Sequence, residues 1–344
     1  MTQLLTDNEI AALRDMIDGA QNIVVTCHVG PDGDAVGSIL ATTQWLTRRG
    51  KNVTPIMPDN CPEFLRWLPA ADRLHICQYR EKKVQPIIEQ ADLIIFQDFN
   101  ELSRMDCLER VVKRNTTARR IMIDHHLNPE PCADLVISHP EMSATCELLY
   151  RILRDLGESQ DITADEATCL YCGLMTDTGA FTYNSNRPEV FATIGELIAH
   201  GIDKDRIYRN VFHSWSLDRF RLMGYLLYVN WSYIDELHTS IITLDREERK
   251  RFGYQKGDTE GIVNMPLQIR GTRLSIFLRE DTERDNFVKV SMRSVDDIPC
   301  NRICQECFGG GGHLNAAGGD LAMPMAQAID FVRKSLAKYA DILK

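Results

Sequence analysis

Short apolar runs alternate with longer segments of helical periodicity through the first half of the chain. Each run is nearly continuously apolar and rich in β-branched residues, a pattern typical of strands buried on both faces of a parallel sheet. The predicted strands lie near residues 23–27, 52–57, 73–77, 92–97, 120–124 and 134–138. A helix capped at Thr6 or Asp7 precedes them, and another is predicted from Ala35 to Arg49. Residues 1–190 are therefore predicted to form an α/β domain with a mostly parallel sheet.

The pattern changes in the second half of the chain. Helical periodicity dominates residues 191–232, which we interpret as a helical connector. From residue 233 the pattern turns to strands, which are predicted at Ser240–Leu244, Arg273–Arg279 and Val288–Arg293. A glycine-rich loop and a terminal helix from Pro324 to Ala340 follow them. Residues 233–344 are therefore predicted to form a smaller α+β domain.

The loop after the first predicted strand contains several side chains that can bind a metal ion. His28, Asp32 and Asp34 fall within seven positions, and Pro31 and Gly33 bend the backbone so that the three side chains can converge. Such a group suits hard or borderline divalent cations. An alternative interpretation is a polar turn in which Asp34 caps the following helix.

Carboxylate and imidazole side chains also follow other predicted elements further along the chain. The fourth predicted strand ends at Asp98, the fifth ends at Asp124-His125-His126, and Asp177 follows a helical segment. Because the carboxyl ends of parallel strands form one edge of a sheet, these side chains are expected to meet there. Five carboxylates and three histidines then belong to one constellation. Helix capping does not account for so many groups.

These blocks resemble the motifs of the DHH phosphoesterase superfamily. A second run, Gly309-Gly310-Gly311-Gly312-His313, resembles the glycine-rich signature of the DHHA1 substrate-binding domain, and Arg293-Ser294 resembles the element that precedes it. The resemblance spans nearly the whole chain and keeps the order of the motifs. It implies a DHH domain over residues 1–190 and a DHHA1 domain over residues 233–344.

The resemblance implies a centre of two divalent metal ions, with Mn²⁺ the ion that the family typically uses. Its expected ligands are His28, Asp32, Asp34, Asp98, His125 and Asp177. Asp98 would bridge the ions, Asp124 would orient a histidine, and His126 would face the substrate phosphate. Two cations about 3.5–4 Å apart can activate a shared water for attack on a phosphoester. Mixed imidazole and carboxylate ligands also leave cobalt, iron and zinc open.

The glycine run is expected to bind substrate. Consecutive glycines at 310–312 let backbone N–H groups approach a phosphate or a base, while Arg293 and His313 supply polar donors. Ser294 is included with them because of the resemblance. The alternative is a flexible glycine hinge.

Within the superfamily the chain resembles the bifunctional oligoribonuclease (nanoRNase) and pAp phosphatase group. That resemblance implies hydrolysis of short oligoribonucleotides to mononucleotides, removal of the 3′-phosphate of pAp, or both. A linear or cyclic di-AMP phosphodiesterase is one alternative, and a non-catalytic nucleotide-binding regulatory protein is another. A family II pyrophosphatase is less favoured because its C-terminal lysine-rich signature is absent.

Composition limits the partners. The formal net charge of −10 disfavours binding of long duplex DNA, and no apolar stretch approaches the roughly 18 residues of a membrane span. The polar N-terminus does not resemble a secretory signal, so the expected compartment is the cytoplasm. The expected partners are short single-stranded RNA or small nucleotides, with a homodimer left open.

The eleven cysteines are best explained as reduced, buried side chains of a cytoplasmic protein. Cys300, Cys304, Cys307 and His313 nevertheless have a spacing that a zinc site would allow.

Overall fold

A computed structural model describes residues 2–213, 215–255 and 257–344. The chain divides into two units, residues 1–214 and residues 215–344. Each unit contains one sheet of six strands. The α/β fold class predicted from the sequence, with a parallel sheet first and a smaller mixed domain second, is confirmed.

The sheet of the first unit is parallel throughout. Its strands are β1 Asn22–Thr26, β2 Asn52–Met57, β3 His75–Ile76, β4 Leu93–Gln97, β5 Arg119–Asp124 and β6 Leu135–Ser138. Their spatial order is β3-β2-β1-β4-β5-β6, so the order reverses at β1. In doubly wound sheets a ligand crevice opens at the carboxyl ends of the strands at such a switch point. In this sheet the switch point lies between β1 and β4.

Helices cover both faces of this sheet. They are α1 Asp7–Gly19, α2 Gly33–Arg48, α3 Glu81–Glu89, α4 Cys107–Val112, α5 Thr145–Asp155, α6 Ala164–Asp177, α7 Pro188–Ala199 and α8 Lys204–Phe212. Alternate residues of each central strand enter different cores: Ile95 packs in the core that contains α2, α5 and α6, whereas Phe96 packs in the core that contains α3 and α4. Burial on both faces explains the continuous apolar runs.

The second unit has a mixed sheet in the order β11-β12-β10-β9-β8-β7. Its strands are β7 Trp231–Ile234, β8 Thr239–Leu244, β9 Leu274–Glu280, β10 Val288–Ser294, β11 Gly311–His313 and β12 Ala316–Leu321. Its helices are α9 Leu217–Tyr228, α10 Arg246–Arg251, α11 Cys300–Cys307, α12 Met325–Leu336 and α13 Ala340–Leu343. α11 and α12 pack on one face, while α9 contributes to a separate core.

Two expectations about this unit require correction. The glycine-rich run is not wholly a loop, because Gly311–His313 pairs with β12 as an edge strand. The terminal helix ends at Leu336 rather than Ala340, and a 3₁₀ turn and α13 complete the chain. None of the described helices is long and apolar enough to cross a bilayer.

Candidate metal centre

The predicted histidines and carboxylates of the first unit gather at the switch point in three overlapping groups. Within each group the donor atoms lie within 4.8 Å of one another. The groups are His28, Asp32 and Asp98; Asp34, His125 and Asp177; and Asp98, His125 and His126. Asp98 and His125 each belong to two groups, so the three form one continuous cluster.

The strand order explains this convergence. β1 leads into the His28 loop, its neighbour β4 leads into Asp98, and the next strand β5 leads into His125. Asp98 has a left-handed backbone with a φ of +65°, and its N–H donates to the carbonyl of Ile123 at 3.2 Å. The turn leaves Asp98 only 2% exposed. A left-handed non-glycine residue is uncommon, and such strain often marks a functional site.

Asp32, rather than Asp34, caps the helix after the first strand. Its Oδ1 accepts hydrogen bonds from the N–H groups of Asp34 and Ala35, both at 3.0 Å. The alternative in which Asp34 is the cap is therefore wrong. Capping occupies one carboxylate oxygen of Asp32 and is compatible with its place in the cluster.

The side chain of Asp34, a residue of α2, instead lies against the N-terminus of α5. Its fully buried carboxylate accepts hydrogen bonds from the N–H groups of Thr145 at 2.6 Å and Cys146 at 2.8 Å. Ala144, the capping residue of α5, provides no side-chain hydrogen bond there, so Asp34 satisfies these donors from outside the helix. Gly173 of α6 permits the approach, because a Cβ there would lie 2.9 Å from Asp34 Oδ1.

Asp98 lies at the centre of the cluster. Its carboxylate lies 3.5 Å from Nε2 of His28 and 3.5 Å from Nε2 of His125. It also accepts a hydrogen bond from the hydroxyl of Thr145 at 3.1 Å. Burial acts to raise the pKa of Asp98, but the hydrogen bonds from His125 and His28 outweigh it and hold that pKa well below its ordinary value.

His125 connects the remaining carboxylates. Its Nδ1 lies 3.2 Å from the carbonyl of Met142, which directs Nε2 toward Asp177 at 3.4 Å and Asp34 at 3.9 Å. Burial acts to lower the pKa of His125, but the hydrogen bond and charge of Asp98, with the charges of Asp34 and Asp177, raise it to about 11.

The carboxylates of Asp34 and Asp177 repel one another. Burial, and then the charge of Asp98, raises the pKa of Asp34 to about 8. Burial, and then the charges of Asp34 and Asp98, raises the pKa of Asp177 well above its ordinary value. Divalent cations would relieve this repulsion, and imidazole and carboxylate donors without a thiolate suit a hard or borderline ion. The residues present therefore fit a divalent metal centre.

Asp124 and His126 form a pair beside the cluster. Oδ1 of Asp124 lies 2.7 Å from Nδ1 of His126. Asp124 is fully buried, and its Oδ2 has no hydrogen-bond partner in the described part of the chain. A carboxylate in this position fixes the orientation of an imidazole ring. Asp124 is the one predicted residue of the centre that belongs to none of the three groups.

The predicted substrate-binding residues of the second unit lie on β10 and β11, except Gly310, which precedes β11. In the strand register Arg293 on β10 faces Ala316 on β12, which in turn faces His313 on β11. Residues in one row of a sheet project from the same face, so Arg293 and His313 share a face with Ala316 between them.

Ser294 lies next to Arg293 and is buried. Its hydroxyl donates to the carbonyl of Ile298 at 2.7 Å and accepts from the side chain of Asn315 at 3.0 Å. These contacts hold the segment that follows β10.

The glycines of the run differ in the space available for a side chain. A Cβ at Gly310 would lie 1.9 Å from the carbonyl oxygen of Gly318, and one at Gly312 would lie 2.5 Å from that of Ala316. A Cβ at Gly311 would meet nothing within 4 Å. Gly310 and Gly312 are therefore needed for close strand packing, while the space beside Gly311 is open.

The structure gives no support to a zinc site at the C-terminal cysteines. Cys300 and Cys304 pack in the hydrophobic core of the second unit. Across the described residues, the groups able to hold a metal are the three above, and none includes a cysteine.

Sequence reasoning missed Thr145. It is fully buried at the first position of α5 and contacts both Asp98 and Asp34. The available signal was its position at the start of a helix that follows a strand of the parallel sheet, where side chains face the crevice.

Comparison with known proteins identifies two domains in this chain. Residues 22–174 match the model of the DHH family, N-terminal domain, and residues 238–340 match that of the DHHA1 domain. The bifunctional oligoribonuclease and PAP phosphatase NrnA of Thermus thermophilus is 30% identical over 92% of this chain and 90% of its own length. The protein of the same name from Bacillus subtilis is 24% identical over 87% of this chain and 89% of its own length.

A solved structure resembles this one over its full length. The crystal structure of an exopolyphosphatase-related protein from Bacteroides fragilis is 42% identical, with a TM-score of 0.96 over 100% of this chain and 99% of that one. With both domain models matched in order, the chain belongs to the DHH family of phosphoesterases and carries a C-terminal DHHA1 domain.

Proposed function

We propose that this chain hydrolyses short oligoribonucleotides to mononucleotides and removes the 3′-phosphate of pAp. The observation that carries the proposal is the buried cluster around Asp98, in which donor groups from three neighbouring strand ends meet. The name of the Thermus thermophilus relative supports this pair of substrates.

We propose that the cluster binds two divalent ions and that both are Mn²⁺. His28 and Asp32 would hold one ion, Asp34, His125 and Asp177 would hold the other, and Asp98 would contact both. When bound, such ions supply an activated water and neutralise charge on a phosphoryl group.

The chain's own residues would prepare this site. The hydroxyl of Thr145 orients the carboxylate of Asp98, and the start of α5 holds Asp34 in place. Asp124 holds the ring of His126, which would donate to an oxygen of the substrate phosphate when its imidazole is protonated.

The second unit would bind the substrate. Arg293 is suited to grip a phosphate through two parallel hydrogen bonds, and His313 projects from the same face of the sheet. Ser294, Gly310 and Gly312 keep these strands in place, and the open backbone at Gly311 would let a ligand approach. We place the protein in the cytoplasm, where its eleven free cysteines would stay reduced.

The test is turnover by the purified protein with Mn²⁺ and with EDTA. The substrates are a triribonucleotide, pAp, linear di-AMP, cyclic di-AMP, pyrophosphate and polyphosphate at equal concentration. We expect mononucleotides from the triribonucleotide, phosphate from pAp, and neither product in EDTA.

Preference for a di-AMP species, pyrophosphate or polyphosphate would contradict the proposed substrates but not the proposed metal centre. Nucleotide binding with no hydrolysis of any substrate would indicate a regulatory protein. Either result would contradict the proposed function.

A further inference from the structure

A cavity beside the end of α6 is not used by the proposed chemistry. It has a volume of about 460 Å³, within the range of sites that hold small ligands. Its walls include three aromatic rings, two cationic side chains and a histidine, namely Tyr171, Phe181, Tyr208, Lys204, Arg209 and His213. All of them belong to the first unit.

A strained turn that begins two residues after Asp177 forms part of the cavity wall. Phe181 follows Asp177, a predicted metal ligand, by only four residues. Gly179, Ala180 and Phe181 have φ values of +54°, +57° and +65°, so three successive residues are left-handed. Alanine and phenylalanine disfavour this conformation, and strain of this kind is usually retained where a side chain must be placed precisely for function.

Local hydrogen bonds hold the turn in place. The carbonyl of Thr178 accepts from the N–H groups of Thr182 and Tyr183, both at 2.9 Å, and its hydroxyl accepts from the N–H of Phe181 at 3.1 Å. The ring of Phe181 then packs edge-on against Tyr171, with centroids 5.6 Å apart. The turn thus supplies one wall of the cavity directly after Asp177.

The other wall comes from α8. Tyr208 is 39% exposed, and Arg209 is exposed beside it. Lys204 is engaged by Asp205 at 2.6 Å, so Arg209 is the cation better placed for an incoming anion. Aromatic faces stack on nucleobases, and an arginine close to them suits a phosphate of the same chain.

We propose that this cavity binds the second nucleotide of a short RNA, the one on the far side of the scissile phosphodiester. Its base would stack on Phe181 and Tyr208. The phosphate on the other side of this nucleotide, away from the scissile bond, would contact Arg209. The inference rests on the proposed function. pAp has a single nucleoside around its scissile phosphate, so it would leave this cavity empty. The cavity would therefore serve RNA cleavage and not pAp hydrolysis.

The experiment compares Tyr208→Ala and Arg209→Ala with the wild-type protein on both substrates. We expect kcat/KM for a triribonucleotide to fall about tenfold in each variant, while kcat/KM for pAp stays unchanged. Tyr208→Phe keeps the stacking ring and should behave like the wild type. Arg206→Ala removes an exposed cation from the same helix, outside the cavity, and should change neither substrate.

A binding measurement without metal tests the cavity independently of catalysis. Fluorescence polarisation of a labelled triribonucleotide in EDTA should show weaker binding by Tyr208→Ala and Arg209→Ala, and unchanged binding by Arg206→Ala. Equal losses on RNA and pAp, or wild-type RNA binding by both cavity variants, would overturn the inference. A wild-type protein that cleaves neither substrate would instead overturn the proposed function, and the binding result would still decide on the cavity.

Discussion

The hydroxyl of Thr145 donates a hydrogen bond to the carboxylate of Asp98 at 3.1 Å, inside the core of the first unit. Both side chains are almost fully buried. The backbone N–H of the same threonine binds Asp34. One residue thus restrains two carboxylates that we assign to the metal centre, and it does so from α5.

Thr145→Val keeps the shape of the side chain but removes this hydrogen bond. A hydrogen bond to a charged group contributes about 2 kcal/mol, so we expect roughly 30-fold weaker Mn²⁺ binding or turnover. Thr145→Ser retains the hydroxyl and should stay near the wild-type values. Calorimetric Mn²⁺ titration and kcat measure the two effects. If Thr145→Val and Thr145→Ser lost the same amount, packing rather than the hydroxyl would be responsible.

The glycine run offers a matched pair of substitutions. Gly310→Ala places a Cβ against the carbonyl oxygen of Gly318, and overpacking of this kind costs about 1–3 kcal/mol. We expect it to lower the Tm by several degrees. Gly311→Ala meets no neighbour and should leave the Tm unchanged, while raising KM if substrate approaches the backbone there. A lower Tm for Gly311→Ala would contradict the open space at this position.

Arg293 is predicted to act in substrate capture. Arg293→Ala should raise KM for pAp about tenfold with a much smaller change in kcat, because the residue is proposed to bind a phosphate away from the reacting atoms. Arg293→Lys should recover only part of the loss, since lysine lacks the planar fork. Lys289→Ala, on the same face of β10, is the control. A loss confined to kcat would argue against a binding role.

Metal affinity should depend on pH. In the metal-free protein burial acts to lower the pKa of His28, but the hydrogen bond and charge of Asp98 outweigh it and raise that pKa to about 9. Burial and the charge of Asp98 raise the pKa of Asp34 to about 8. These two groups and His125, whose pKa is raised to about 11, must each lose a proton to bind a cation, so affinity should rise with pH across the whole interval from about 8 to about 11, with protons released on binding. Calorimetry in buffers of different ionisation enthalpy measures this release, and affinity that does not change with pH would contradict it.

The same shift affects the stability of the metal-free protein in the opposite direction. Because the pKa of His28 is raised on folding, its contribution is fully present below its ordinary value of 6.5 and is lost as the pH rises through about 9. In EDTA, the free energy of unfolding should therefore fall over this interval, and His28→Gln should reduce that fall. Denaturant unfolding at several pH values provides the measurement.

The convergence of these histidines and carboxylates could be predicted from the sequence because parallel strands bring their ends together. Once the runs before Asp98 and His125 are recognised as buried strands, their polar ends must lie at one edge, and the strand order completes the cluster. The capping role of Asp32 was missed because its neighbour Asp34 has the same side chain. Only the packing of α2 against α5 shows that Asp34 serves the start of another helix.

The second unit was harder to predict. β11 consists of Gly311, Gly312 and His313, which carry no strand propensity, and pairs with β12 only because close contacts between glycine backbones allow it. Thr145 was missed because its partner Asp98 is 47 residues away, a contact that no local pattern encodes.

The most direct test of the central claim is a Mn²⁺ titration of the wild-type protein and Asp98→Asn. Asparagine tolerates the left-handed backbone of this position, so the variant should fold while losing the charge that both ions are proposed to share. We predict two ions bound per wild-type chain, and fewer than two, with weaker affinity and no turnover, for Asp98→Asn. Two ions bound with wild-type affinity by Asp98→Asn would contradict the assignment of Asp98 to both ions.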